Sequence, residues 1–405
     1  NIKLKEKGNM GLNGMVNISA GSALDKFLPK ANGSASVSYS TKKFGFSASI
    51  DGRYDQRGRR SDNMKLLFGS EPNSLDAWMR SQRDGIEEGY SEGMKLGFDW
   101  YINQKNTLTL SYTGRGQNTI SDHTVINNIN LIDSMSYRSL DQITDGDRSG
   151  QFHTFSLNYQ KKFNKPDQEL MVDANWNIGR FNRESIQKID YLNDLFDTDY
   201  AFDKKDVTKA NDDRAVVKIN YTHPFSKELR LETGYNLNYS NRHSDYDYYF
   251  NGLSEKDTAT SYVFHSTEYI HALYATVGYT HGNWSGQLGL RGEIVRSTAT
   301  KTMENKANTS FDKNYNPLFP TLHLSYQISP MQSAQFSYSR RINRPDMFSM
   351  MPNVDLSNPE HIRFGNPDID PEYTNSLEIG YSHIFSKTTI FASAYYRQTN
   401  NRISW

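Results

Sequence analysis

Alternation of apolar and polar residues recurs along the chain in paired segments of about ten residues, as in TLTLSYTGRG, HTFSLNYQKK, RLETGYNLNYS and SAQFSYSRRI. A period of two is that of a β-strand, whose side chains point to opposite faces in turn. One apolar set is Met94, Leu96, Phe98, Trp100 and Ile102, a second is Leu170, Val172, Ala174, Trp176 and Ile178, and a third is Leu377, Ile379 and Tyr381. The opposite register carries Lys95, Asp99, Asp173, Asn175, Asn177, Glu378 and Gly380. The pattern predicts about fifteen strands. They cover residues 12–21, 33–42, 44–54, 93–102, 107–114, 152–161, 169–179, 215–222, 230–240, 268–280, 284–295, 318–327, 332–342, 375–382 and 389–399.

Short and long connections alternate. KKFG, NQKN, KKFNKPDQ, HPFSKE, HGN, ISPM and HIFSKT are short, whereas residues 57–92, 115–151, 180–214, 241–267, 296–317 and 343–373 read as long, Asn- and Asp-rich loops. Strands near ten residues long, each with one apolar and one polar face, are the pattern of an antiparallel transmembrane β-barrel, with lipid outside and a wet lumen inside. A soluble sandwich would turn the apolar set towards a shared core instead. The barrel is favoured by aromatics near the predicted strand ends, among them Tyr39, Tyr54, Trp100, Tyr101, Tyr159, Trp284, Tyr326, Tyr381, Tyr395 and Tyr396, where rings with a polar handle suit the headgroup level. The fold class is therefore all-β. An odd strand number does not close a bacterial barrel, and an open edge in lipid leaves backbone groups unpaired. Further strands are expected after Trp405.

Composition agrees with this pattern. Only 36% of the 405 residues are hydrophobic, yet there are 26 Tyr and 21 Phe. A barrel needs apolar residues at only every second strand position. Lys+Arg and Asp+Glu both number 46, so the chain lacks the basic excess of a nucleic-acid binder. No apolar run reaches the length of a helical membrane span. There are no cysteines, which excludes disulfides and thiolate metal sites. The opening NIKLKEKGNMG carries no signal peptide and reads as an internal piece of a larger precursor.

No motif for covalent chemistry is present, and neither a cofactor nor a metal is expected. His265 and His271 share strand parity, while Glu268 faces the other way, so HSTEYIH does not gather three ligands. DGDRSG at residues 145–150 lacks the spacing of a calcium loop. Asp212, Asp213, Asp245 and Asp247 read as solvated loop acids. Aromatic residues on the polar loops are the candidate ligand or partner contacts: Tyr191, Phe196, Tyr246, Tyr248, Tyr249 and Phe348. Packing of loop against loop is the competing role for the same rings.

Three segments near the C-terminus carry a resemblance: YSRRINRPDM at 338–347, GNPDIDPEYTNSLEIGY at 365–381 and YYRQTNNRI at 395–403. They resemble the Bacteroidota outer-membrane β-barrel family of the TonB-dependent receptor superfamily. An Arg-rich strand end with Asn-Arg-Pro, a long loop, and a Gly-Asn-Pro…Pro-Glu lead into the next strand make up that pattern. The structural motif residues are Arg341, Arg344, Pro345, Gly365, Asn366, Pro367, Pro371 and Glu372. Read physically, Pro345 ends its strand near Arg344. Asn366 caps its own turn, and Glu372 pairs with Arg341 or Arg344.

The resemblance implies a 22-strand barrel of the kind whose lumen a plug fills, with residues 1–11 ending the plug and residues 12–405 forming the N-terminal and central barrel. It implies a receptor in the cell outer membrane, with its long loops extracellular. Such a receptor imports a bulky nutrient (siderophore, cobalamin, glycan or peptide) by plug displacement, and is not an enzyme. The implied partners are outer-membrane lipid, periplasmic TonB acting through the missing N-terminal region, and a surface lipoprotein as a candidate. The alternative expectation is a noncatalytic barrel serving as an assembly or export partner, or as a surface receptor without energised transport.

Overall fold

The computed structural model describes residues 11–23, 27–68, 75–131, 137–193, 200–250, 254–350, 354–355, 363–385 and 387–403. The predicted start of the chain, residues 1–10, lies outside them. In chain order the strands are β1 (Gly11–Ala23), β2 (Leu28–Ser40), β3 (Phe44–Phe68), β4 (Leu75–Asn103), β5 (Asn106–Leu131), β6 (Tyr137–Lys162), β7 (Glu169–Asn193), β8 (Tyr200–Pro224) and β9 (Leu229–Phe250). There follow β10 (Tyr262–His281), β11 (Trp284–Thr302), β12 (Thr309–Tyr315), β13 (Leu318–Ser329), β14 (Gln332–Asn343), the short helix α1 (Met347–Met350), β15 (Val354–Asp355), β16 (Arg363–Phe364), β17 (Glu372–Phe385) and β18 (Thr388–Asn400).

Sixteen of the strands form one antiparallel sheet, in which sequence neighbours are spatial neighbours from β1 to β11 and the order continues β13, β14, β17, β18. β12 folds back on the upper half of β11, and among the described residues β15 pairs with β16 alone. All fifteen predicted strands lie on this path. The sheet is open between β1 and β18 and has the up-and-down topology of an outer-membrane barrel wall.

Short turns gather at one end of the sheet, and each braces the next hairpin. The carbonyl of Lys43 accepts the N–H of Tyr101 (2.9 Å), that of Lys105 the N–H of Lys162 (2.7 Å), and that of Glu228 the N–H of Thr280 (2.9 Å). The carbonyl of Asn283 accepts the N–H of Gln327 and that of Met331 the N–H of Ile384, both at 2.8 Å. Gly282 has φ +58° in the two-residue turn between β10 and β11, a conformation that a side chain would strain. Trp100 and Trp284, 41% and 56% exposed, lie beside these turns and set one aromatic edge of the apolar band.

The band is continuous across strands. Ala48, Leu96, Tyr112, Phe155, Trp176 and Ala215 form one row of opposed residues. Its side chains are outward-facing in the sense that matters for lipid: Leu288 is 62% exposed, Ile379 61% and Ile18 84%. Buried apolar side chains are few among the described residues, and the one cluster, Phe264 and Ala299 with Tyr262, Phe311 and Met347 against them, lies where β12 and α1 cover β10 and β11. An apolar face this large and open belongs against hydrocarbon.

The strands are longer than their alternation predicts. Much of residues 57–92, 115–151 and 180–214, expected as loops, is strand, and β3 to β9 span 22 to 29 residues each. Two rows above the Leu96 row the apolar register turns polar, with Gly52, Glu92, Gly116, Gln151 and Arg180 opposed to one another. Above that line both faces are wet, so the hydrophobic period vanishes while the hydrogen-bond ladder runs on. DGDRSG accordingly lies within β6, Asp212 and Asp213 within β8, and Asp245 and Asp247 within β9.

Candidate ligand-binding cavity

Just above the apolar band, on the opposite face from it, β3 to β7 enclose a cavity of about 560 Å³. Its walls follow from the strand period. In RYDQRGRR, Arg53, Asp55, Arg57 and Arg59 share one parity, in phase with the polar register below. One row across the strands reads Asp55, Gly89, Thr119, Arg148 and Arg183. The next reads Arg57, Glu87, Ser121, Gly146 and Ser185, and the third Arg59, Gly85, His123, Thr144 and Gln187. Glycine and small hydroxyl residues floor the hollow, and long side chains rise at its two sides.

Arginines dominate the lining: Arg53, Arg57, Arg59, Arg83, Arg148 and Arg183. Arg53 Nε lies 3.2 Å from Asp55, whose carboxylate also takes Arg57. Asp55 is only 6% exposed, so two guanidiniums offset the burial of one carboxylate. Arg59 Nη2 lies 2.8 Å from Glu87, and His123 Nε2 is 3.7 Å from the same carboxylate. His123 Nδ1 is buried with no hydrogen-bond partner among the described residues. A Cβ on Gly85 would overlap His123 Nδ1 and the Asp122 carbonyl oxygen, so glycine there is what lets the imidazole lie flat on β4. Asp147 and Glu184 also reach the lining from the opposite register, and Glu184 is paired with Lys205 at 2.7 Å. Arg148 stacks 5.7 Å from the Phe181 ring centroid. Neither Arg83, Arg148 nor Arg183 has a carboxylate partner among the described residues.

The sequence-predicted aromatics lie elsewhere. Tyr246, Tyr248 and Tyr249 are on the upper part of β9 rather than on a loop, and none of the three lines the cavity. The Tyr246 hydroxyl donates to Asp206 at 2.5 Å, and its ring stacks on Tyr262 with centroids 5.0 Å apart. Tyr248 is buried, its N–H donating to Ser261 Oγ at 2.9 Å. Burial, with the Asp206 and Asp257 charges nearby, pushes its phenol up to about 12. Tyr191 stands on β7 opposite Tyr200 of β8. Its side chain, that of Phe348 in α1, and all of Phe196 lie outside the described residues.

The C-terminal motif folds into one joint. β14 ends at Asn343, ahead of Pro345, with Arg341 opposite Thr374 of β17. Asp346 caps α1 by accepting the Ser349 N–H at 3.0 Å, and the Ser349 carbonyl accepts the N–H of Asn366 at 2.9 Å. Asn366 Oδ1 accepts the Asp368 N–H at 2.9 Å, closing the turn between Gly365, Pro367 and the buried Pro371. The expected pairing of Glu372 is corrected. Its carboxylate accepts the Asn343 amide at 2.8 Å and the Ile403 N–H at 2.5 Å, and these donors hold it below the usual carboxylate range. Arg344 turns away from it, donating to Glu293 and, at 3.1 Å, to the Tyr315 hydroxyl. Glu293 is 7% exposed, so it is the costlier carboxylate to leave unpaired.

The HSTEYIH residues diverge as parity requires. His265 meets Asn241 at 2.9 Å, His271 meets the Tyr235 hydroxyl at 2.7 Å, and Glu268 accepts from Ser297 at 2.9 Å.

The sequence profile of the outer membrane protein beta-barrel family matches residues 161–405, well over half of the chain. The chain belongs to that family. Its place is therefore the outer membrane, in agreement with the exposed apolar band. No curated protein matches the chain. Among solved structures, the copper transporter OprC superposes with a TM-score of 0.53 at 10% identity, covering 96% of this chain and 54% of that one. A double mutant of the Serratia marcescens hemophore receptor HasR, in complex with its hemophore HasA and heme, superposes with a TM-score of 0.51 at 12% identity, covering 97% and 55%. The chain thus spans about half the length of each, and at these identities the likeness is one of fold.

For this family member, the alternation that located the strands missed the cavity because its residues fall where hydrophobicity stops alternating. Charge continued to alternate in the correct phase, at Arg53, Asp55, Arg57 and Arg59, and that is the signal that marks β3 beyond Tyr54.

Proposed function

We propose that this β-barrel is the wall of a TonB-dependent outer-membrane receptor that imports a bulky nutrient and performs no covalent chemistry. The observation that carries the reading is the two-part wall: a membrane band with one apolar face, continued by long strands polar on both faces around a hollow lined with arginines. A simple membrane anchor has no use for that extension, whereas a receptor that must take up a solute from dilute solution does. The fold shared with OprC and HasR supports the reading. On it, the short-turn end faces the periplasm, where a TonB protein would transmit force. The long-strand end faces outward, where ligand and a surface lipoprotein would dock. The resemblance of the C-terminal motif points to a Bacteroidota source.

The test is uptake by cells expressing the full-length gene, with and without the TonB protein, across a panel of labelled siderophore, cobalamin, glycan and peptide. Uptake of one cargo that stops without TonB is the expected result. Surface expression with no TonB-dependent uptake of any cargo would instead favour a surface receptor or assembly partner.

A further inference from the structure

We infer that the hollow between β3 and β7 is a binding site for an anionic ligand, one that presents carboxylate or phosphate oxygens. Its biological meaning rests on the import reading above, but the binding itself does not. The chain as a whole is neutral, with 46 basic and 46 acidic residues, so the six arginines of this lining are a local excess, not a consequence of composition. Four carboxylates share the lining with them among the described residues, Asp55 and Glu87 on the cavity face and Asp147 and Glu184 from the opposite register, so arginine remains in excess.

Arg148 and Arg183 stand directly opposite each other on β6 and β7. Like charges in directly opposed cross-strand positions destabilise a sheet. Neither has a carboxylate partner among the described residues, so the wall tolerates a repulsion that an anion between them would relieve. Guanidinium forks grip carboxylate and phosphate in two-point geometry, which suits them to this role better than lysine.

Gly89, Ser121, Gly146 and Ser185 leave room beneath the arginines, and about 560 Å³ falls in the range of small-ligand sites. Of Phe, Tyr and Trp the lining holds Tyr90 alone, from the opposite register, and Phe181 beside it on the cavity face is taken by the Arg148 guanidinium, so little ring surface is left for a neutral sugar to stack on. A lipid phosphate would approach the other face of the sheet, where the apolar band lies.

Calorimetric titration of the full-length protein in detergent tests this, with citrate, pyrophosphate and maltose as probes at low salt. The expected result is saturable binding of citrate or pyrophosphate, weakened at least ten-fold in the double variant Arg148→Gln, Arg183→Gln. Retained far-UV circular dichroism and heat-modifiable gel mobility confirm that the variant is folded. Which of the two anions binds tells carboxylate recognition from phosphate recognition. Arg180→Gln removes the same charge from the opposite face, where Arg180 pairs with Asp213 at 3.0 Å, and should leave binding unchanged. Neither anion binding, maltose binding more tightly than both, the double variant binding as the wild type does, or Arg180→Gln costing as much as the double variant would each overturn the inference. A protein that binds the anion but imports nothing keeps this site and removes the transport reading.

Discussion

At Glu293 two segments far apart in sequence meet on one carboxylate. Arg291 Nε reaches it at 2.7 Å from its own strand, and Arg344 reaches it from beyond the end of β14. Replacing Arg344 with alanine leaves a buried carboxylate with one of its two cations and frees the Tyr315 hydroxyl. That is expected to cost roughly 1–3 kcal/mol, the range for an under-satisfied buried polar group. A lower urea midpoint in lipid vesicles would register it, with Arg344→Lys recovering part of the loss. Arg341→Ala, on an exposed β14 position, should change the midpoint little. Asp257 governs a second, smaller joint. Its side chain accepts the Thr260 hydroxyl at 2.7 Å and the Ala259 N–H at 2.8 Å, while its own N–H donates to the Tyr248 carbonyl at 2.8 Å. The Thr260 hydroxyl, foremost, and the Ala259 N–H hold its carboxyl below the usual range despite the opposing effect of burial. A depressed folded-state pKa gives stabilisation that is complete above the unfolded pKa, near 3.9 for Asp, and is lost as pH falls through the folded value. Hydrogen-exchange protection of the Ala259 amide, corrected for intrinsic rates, should therefore hold steady above about pH 4 and decline below it. In Asp257→Asn the profile should be flat.

Individual strands show what a hydrophobic period can and cannot reveal. β13 and most of β14 keep the apolar alternation, and that of residues 318–327 and 332–342 located both to within two residues of their ends. β4 begins at Leu75, eighteen residues before the predicted 93, because above Met94 its register carries Glu92, Tyr90 and Glu88 and no longer alternates in hydrophobicity. Pairing with β3 and β5, not burial, holds that half extended. β12 was unreadable for a related reason: TSFDKNY alternates, but it follows the polar run MENKAN and pairs only with the upper half of β11. The same logic explains the site. The aromatic candidates stand out as unusual in polar loops, yet Tyr246 stacks across the sheet on Tyr262 and Tyr248 bonds to Ser261 and Asp257 of the β9–β10 connection, while the cavity is built of arginine, glycine and serine that look ordinary in a solvated loop. Only the strand period, carried upward in charge, makes them a wall.

The whole molecule follows from which register meets which solvent, and one pair of neighbours tests that assignment. Leu157 sits in the band with Leu110 and Ala174 opposite it, while the next residue, Asn158, faces the other way and its amide donates to Asp173 at 2.5 Å. In lipid, Leu157→Arg places a guanidinium in hydrocarbon, at a cost of about 2–4 kcal/mol near the bilayer midplane. Asn158→Arg puts the same group over a wet lumen, keeps a donor for Asp173 and gains an ion pair, so its effect should stay within about 0.5 kcal/mol. Urea unfolding of both variants of the full-length protein in vesicles makes the comparison, since the two substitutions differ by one residue in position and share one charge. A large loss at 157 with little at 158 fixes the apolar register against the acyl chains. Equal losses at the two positions would mean that both faces are shielded from lipid, and the reading of the sheet as a barrel wall would have to be given up.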